Sequence, residues 1–188
     1  MIIGITGTLG AGKGEVAEYL VKQKGFKHYS SRAQIVAEIE HRGLPVNRDT
    51  MTAVANDMRR THDPAYPQPQ SYEQALADHA ENAVMESVRE VAGAAFLKAH
   101  GAFLIGVDAD PRIRYERAIK RGSSTDHIDF ETFVAQEKRE MQNTDPTKQN
   151  IGAIMKMADA VLTNNGTKEE LHQQIEQTLQ TFSASDKD

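Results

Sequence analysis

The stretch Met1-Ile2-Ile3-Gly4-Ile5-Thr6-Gly7-Thr8-Leu9-Gly10-Ala11-Gly12-Lys13-Gly14 decides how the rest of the chain is read. Its first six residues form a short apolar run rich in Ile, the pattern of a strand buried on both faces of a parallel sheet. Gly7 to Lys13 then satisfies G-x-x-x-x-G-K. The following EVAEYLVKQK carries Val16, Leu20 and Val21 along one helical stripe that Gly25 ends. Strand, glycine-rich turn and helix, in that order, give the pattern a mechanical meaning. Glycines let the chain turn tightly with successive N–H groups aimed inward, and a helix start adds amides and its positive dipole end. The spacing predicts a polyphosphate cradle from Gly7, Thr8, Leu9, Gly10, Ala11, Gly12, Lys13, Gly14 and Glu15, with the Lys13 ammonium near the terminal phosphates. One position departs from the common form. The residue after the lysine is usually Ser or Thr, whose hydroxyl binds Mg²⁺, and here it is Gly14. The loop therefore offers no direct metal ligand and no residue is named as one, so Mg²⁺ would be held by phosphates, water and a carboxylate elsewhere.

Outward from this segment, FKHYS (26–30), AVMES (83–87), AFLIGVD (102–108) and AVLT (160–163) read as further short strands. Helical patterns separate them: SRAQIVAEIEHR (31–42), NRDTMTAVANDMRR (47–60), SYEQALADHAENA (71–83) and REVAGAAFLKAH (89–100). HDPAYPQPQ (62–70) holds three of the six prolines and is read as a loop. Asp110-Pro111 and Asp145-Pro146 are helix-start signals, and Thr167 with Glu170 makes a capping box for a last helix. Strands alternating with helices of about ten residues predict an α/β fold with a parallel sheet covered on both sides. The expected organisation is one domain, 1–188, with a helical excursion near 31–82.

Composition narrows the function. Hydrophobic residues at 39% and charged residues at 26% fit an ordinary globular chain. A net charge of −5 disfavours binding to a nucleic-acid polymer, while small anions need only a few focused arginines. The absence of cysteine excludes disulfides, thiolate metal sites and cysteine nucleophiles. None of the seven histidines has zinc-ligand spacing such as H-E-x-x-H, and G-x-S-x-G is absent. Met1 to Thr6 is too short for a signal peptide or a membrane span, so a cytoplasmic protein is expected.

With Gly after the lysine, the chain resembles the nucleoside monophosphate kinase group, adenylate kinases in particular. That resemblance implies a P-loop NTPase three-layer α/β/α sandwich with a mostly five-stranded parallel sheet, a helical acceptor-binding insert and a short lid at about 122–138. HYSSRAQIV resembles the acceptor-site strand and helix start, with Ser30 beside the acceptor. The family's arginine there falls on Val36, and Arg32, one turn earlier, is the candidate substitute. Glu86-Ser87-Val88-Arg89 resembles the family's Asp-Gly-x-Pro-Arg segment, in which the arginine grips the acceptor phosphate and the carboxylate orders Mg²⁺ and water. VDADPRIRYERAIKRG is similar to the strand-to-lid segment shared with dephospho-CoA kinases, and Arg117 and Arg121 match its R-x-x-x-R pair, a clamp on the transferring phosphates. A spacing of four places both on one helical face. Arg139 follows the lid and is a candidate by position. ADAVLTNNG looks like the last strand and adenine-side loop of dephospho-CoA kinases, with Asn164, Asn165 and Gly166 near the ATP base.

The resemblance implies an ATP-dependent phosphotransferase, with ATP and Mg²⁺ as cofactors and a nucleoside or deoxynucleoside monophosphate as acceptor. Phosphoryl transfer needs donor and acceptor oxygens in line and their charge neutralised, which accounts for one lysine and several arginines from different elements. Dephospho-CoA kinase is an alternative, although FKHYS lacks the Asp-x-Asp that this family carries there. A nucleotide-dependent switch is a third reading, and Gly14 counts against it, since switches hold Mg²⁺ through the Ser or Thr.

Overall fold

The computed structural model of the chain describes residues 1–121, 129–143, 145 and 148–185, with the side chains of Arg48, Arg121 and Ser185 left aside. Strands β1 (Ile2–Gly7), β2 (Lys27–Ser30), β3 (Ala83–Glu86), β4 (Phe103–Asp108) and β5 (Ala160–Thr163) form one sheet in the order β2-β3-β1-β4-β5. Every pairing is parallel, with Ile5 opposite Glu86 on one side of β1 and opposite Ile105 on the other. Parallel pairing requires crossovers, and the helices that make them cover both faces. They are α1 (Lys13–Lys24), α2 (Ser31–His41), α3 (Arg48–Thr61), α4 (Gln68–Ala77), α5 (Val91–Ala99), α6 (Pro111–Arg121), α7 (Phe130–Met141), α8 (Ile151–Met157) and α9 (Lys168–Ser185).

The period-two alternation of the strands sorts the core into two layers. Ile3, Ile5, Ile105 and Val107 meet Val16 and Leu20 of α1 and Leu171 and Ile175 of α9. Met85 and Leu104 point the other way, onto Ala75 of α4, Leu97 of α5 and Ile154 of α8. A third cluster, Ile35, Ile39, Val54, Ala55 and Met58, joins α2 to α3. Gly25 ends α1 in the left-handed conformation, and the Thr167–Glu170 capping box starts α9, with Thr167 N–H donating to Glu170 Oε2 at 2.8 Å.

Three local expectations need correction. The prolyl stretch is not all loop, because α4 begins at Gln68 and accommodates Pro69 in its first turn, where a missing N–H costs nothing. The same helix stops at Ala77 rather than near 83, since His79 takes a left-handed φ of 48°. The helix signalled by Asp145-Pro146 begins only at Ile151, as α8, where the Asn150 side chain accepts from Ala153 N–H and Ile151 and Ile154 are buried. Of the expected lid, 122–128 lies outside the described residues, and Phe130–Met141 is helix α7.

Candidate active site

The carboxyl ends of β1, β3 and β4 lie side by side where the chain order reverses about β1, the place at which open α/β sheets bind ligands. The loop after β1 is held by its own backbone. Thr8 N–H donates to Val107 O at 3.3 Å and Ala11 N–H to Thr8 O at 3.3 Å. Gly7 has φ 140°, and a Cβ there would sit 2.1 Å from Val107 O. Gly12 has φ 101°, and its Cβ would fall 2.3 Å from Asn164 Nδ2. No other residue fits either position. Gly12 is the N-cap of α1, so the amides of the first turn open at the loop's mouth. Lys13 bends back over that mouth, its Nζ donating to Gly7 O at 2.9 Å and to Thr8 O at 2.7 Å.

Glu15 follows the loop in the first turn of α1. Its N–H donates to Gly12 O at 3.0 Å, closing the first helical turn. Its carboxylate turns to α9, 2.6 Å from Lys168 Nζ and 3.1 Å from His172 Nε2, and the Lys168 hydrogen bond holds its pKa below the ordinary value.

On the β4 side, Thr8 Oγ1 donates to Asp108 Oδ1 at 2.7 Å. Asn164 is buried: its side chain donates to Ala11 O at 2.8 Å, and its N–H to Asp108 O at 2.8 Å. The Asn165 side chain accepts from Asp110 N–H at 2.7 Å. These asparagines tie the loop after β5 to the phosphate loop and to β4, and Gly166 leads into the cap of α9. Arg117, expected to converge with Arg121 on phosphates, has its Nη1 donating to Asn164 O at 2.8 Å, on the loop after β5. The side chain of Arg121 lies outside the described residues.

On the β3 side, Glu86 ends its strand 3.2 Å from His28 Nε2. That hydrogen bond, with the charges of His28, Lys13 and Arg89, holds its carboxyl below the ordinary 4.5 against the opposing effect of burial, so it is ionised at neutral pH. Ser87 follows with φ 69°, a left-handed conformation at the position where the resembling segment carries Gly.

Beyond this turn opens a cleft of about 430 Å³. Arg32 and Arg89 line it, facing an apolar wall that includes Ile35, Met51 and Ala55. Arg89 Nη1 donates to Gln149 Oε1 at 3.2 Å and lies 3.8 Å from Glu140. Deeper in the lining, Arg59 of α3 meets Glu90 at 2.5 Å, with their side chains 3% and 2% exposed. Burial pushes the Glu90 carboxyl above its ordinary value and the Arg59 guanidinium below, so each charge persists because the other faces it.

The structure thus brings Arg32 and Arg89 to one cleft and places Glu86 beside it. Ser30, half-buried at the end of β2, does not line the cleft, whereas Ser31 does. Arg139 is exposed on α7 and donates to Ala135 O at 3.3 Å; its neighbour Glu140 reaches the cleft instead. Sequence reasoning missed Arg59, Glu90, Glu140 and Gln149. Arg59 carried a readable signal, four residues after Ala55 and next to Met58, which places a charge on the apolar stripe of α3. Among the described residues, no group of three or more His, Asp or Glu is placed to hold a metal ion, and no helix is long and apolar enough to cross a membrane.

A five-stranded parallel sheet sandwiched by helices, with a phosphate loop between β1 and α1, defines a P-loop α/β protein of kinase-like fold. A family model described as an AAA domain matches residues 3–145, and the chain belongs to that family. It is 28% identical over 189 residues to a UPF0200 protein of Pyrococcus horikoshii, covering 95% of this chain and 96% of the relative. A UPF0200 protein of Methanocaldococcus jannaschii is 28% identical over 184 residues, covering 96% of this chain and 89% of that one. Among solved structures, TT1252 from Thermus thermophilus superposes with a TM-score of 0.60 at 20% identity, covering 96% of this chain and 97% of that chain. Shikimate kinase from Bacteroides thetaiotaomicron gives 0.60 at 10% identity, covering 97% and 98%. These likenesses support the P-loop kinase fold in general rather than nucleoside monophosphate kinases in particular.

Proposed function

We propose that this protein is an ATP-dependent phosphotransferase that moves the γ-phosphoryl group to a small anionic acceptor, with nucleoside and deoxynucleoside monophosphates as the first class to test. The observation that carries the reading is the junction of a phosphate loop with an arginine-lined cleft at adjoining strand ends: Val88 N–H donates to Ile5 O at 3.0 Å, one residue from Arg89 and two from Gly7. A donor held by loop amides and an acceptor held in the cleft would meet across that junction. Catalysis there needs little covalent chemistry, only alignment and cationic charge.

In this reading Lys13 exchanges the carbonyls of Gly7 and Thr8 for phosphate oxygens. Arg89, held from behind by Gln149 and Glu140, offers its fork to the acceptor's anionic group, and Arg32 supports it from α2. Mg²⁺ fits the donor set, because Glu86 and Asp108 are carboxylates at strand ends flanking the loop, and Mg²⁺ on a nucleotide asks for only one or two. Bound there, the ion would neutralise phosphate charge. The proposed organisation is one catalytic domain with residues 31–82 on the acceptor side.

A hydroxyl acceptor is the second reading, favoured by fold neighbours described as shikimate kinases. One assay separates the two. The protein is incubated with Mg·ATP and a panel of (d)NMPs, dephospho-CoA and shikimate, and ADP and phosphorylated product are measured together. A nucleoside diphosphate product supports the first reading, and phosphorylated shikimate or CoA the second. ADP release with no product from any acceptor refutes both and leaves a slow nucleotide hydrolase.

A further inference from the structure

Arg114 lies on α6 outside the R-x-x-x-R pair. It is 3% exposed, an unusual condition for an arginine, and its guanidinium reaches three separate segments. Nε donates to Ala109 O at 2.7 Å, at the end of β4, and lies 3.5 Å from Asp108 Oδ1. Nη1 donates to Leu9 O at 3.3 Å, within the phosphate loop. Nη1 and Nη2 together clasp the Glu137 carboxylate of α7, with Nη2 to Oε2 at 3.0 Å. The loop is pressed against the same residue from another side, since a Cβ on Gly10 would sit 2.4 Å from Arg114 O.

Helix α7 is also held at this end by Phe133, buried against Tyr115, and by Phe130, whose ring lies 4.7 Å from the Arg112 guanidinium. One turn beyond Glu137 on α7 is Glu140, which lines the cleft 3.8 Å from Arg89. A contiguous path therefore runs from Leu9 through Arg114, Glu137 and Glu140 to Arg89. A planar guanidinium can satisfy Leu9 O, Ala109 O and Glu137 together in only one relative attitude of loop and helix.

We infer that Arg114 is a positioning residue that couples the state of the phosphate loop to the placement of α7, and through Glu140 to the orientation of Arg89 in the cleft. This rests on the reading of the loop as a nucleotide site. A ligand shifts α7 only through a contact that differs between the empty and filled loop, and the Leu9 carbonyl on the Arg114 fork is such a contact.

The test is hydrogen–deuterium exchange of residues 130–141 with and without Mg·ADP, alongside calorimetric Kd values for ADP. In the wild-type protein, saturating nucleotide should slow exchange in α7 by roughly tenfold. Glu137→Gln and the paired change Arg114→Met with Glu137→Met should still bind ADP and still melt cooperatively, with the nucleotide-dependent slowing reduced to less than about twofold. Arg114→Lys keeps the charge without the fork and should not restore it. The pair removes both charges at once, so neither is left buried alone if Arg114→Met by itself fails to fold. Undiminished slowing in Glu137→Gln or the double variant overturns the coupling. So does ADP binding to wild type with no change in α7, an outcome that leaves the nucleotide site intact. No ADP binding to wild type overturns the nucleotide reading itself.

Discussion

The phosphate loop and the cleft beside it occupy adjoining strand ends but are built by opposite means. The loop is main chain: Thr8 N–H on Val107 O, Ala11 N–H on Thr8 O, and glycines at 7 and 12 whose Cβ atoms would strike neighbours at 2.1 and 2.3 Å. The cleft is side chain. Arg59 comes from α3, Glu90 from the start of α5, Glu140 from α7 and Gln149 from the segment before α8. A site made of backbone tolerates almost no change at its glycines and asks little of the residues between them. A site made of long-range side-chain pairs can be retuned one residue at a time, which is where acceptor choice would reside.

The comparison breaks first at Lys13. Lys13→Ala removes the loop's only side-chain cation and is expected to lower turnover by at least about two decades. It should cost only about 1–3 kcal/mol of stability, from the bonds to Gly7 O and Thr8 O. Steady-state rates and a thermal melt check both, and substantial activity in the variant would remove the loop from the chemistry.

The cleft is expected to respond differently, in stability before rate. Arg59→Met leaves Glu90 buried without its partner and should cost about 3–5 kcal/mol in urea unfolding. Adding Glu90→Leu should recover most of that loss, because two apolar residues need no desolvation. If Arg59→Met costs less than about 1 kcal/mol, the pair is not what holds α3 to α5. Arg89→Ala sharpens the same point with a smaller, local effect. Loss of one charge-assisted hydrogen bond, about 1.5–3 kcal/mol, should raise acceptor KM about ten- to a hundredfold while ADP affinity stays unchanged. The opposite split would place Arg89 on the donor side.

The same contrast explains what could be read from the sequence. Gly7 to Lys13 was legible because each requirement, a tight turn, a left-handed φ, a following helix, is met within the pattern itself. The strands were legible as apolar runs, and Gly25 and the Thr167–Glu170 box marked their helix ends. The end of α4 was not, because His79 and not Gly or Asn takes the left-handed turn there. Ser87 hides its turn in the same way. Arg114 sits in a segment of four closely spaced charges, where nothing in the spacing tells a buried guanidinium from solvated ones. Glu90 is 31 positions from Arg59, and only the packing of α3 against the start of α5 brings them together.

The smallest expected effect returns to the loop and asks whether Gly14 is there for its shape. It lies in the first turn of α1, exposed, and a Cβ built on it meets nothing within 4 Å. Unlike Gly7 and Gly12 it is not forced by sterics, so its lack of a hydroxyl is a chemical difference and not a structural one. Gly14→Ser should raise stability by about 0.5 kcal/mol, since serine loses less backbone freedom than glycine in a helix. It also places an oxygen beside Lys13, where related loops hold Mg²⁺. The affinity for ADP measured in Mg²⁺ relative to EDTA should therefore rise by about two- to fivefold over that of the unaltered chain. A loss of stability greater than about 1 kcal/mol would mean that the loop does not keep this attitude in solution, and an unchanged Mg²⁺ ratio would mean that the metal, if used, is governed wholly from the strand ends at Glu86 and Asp108.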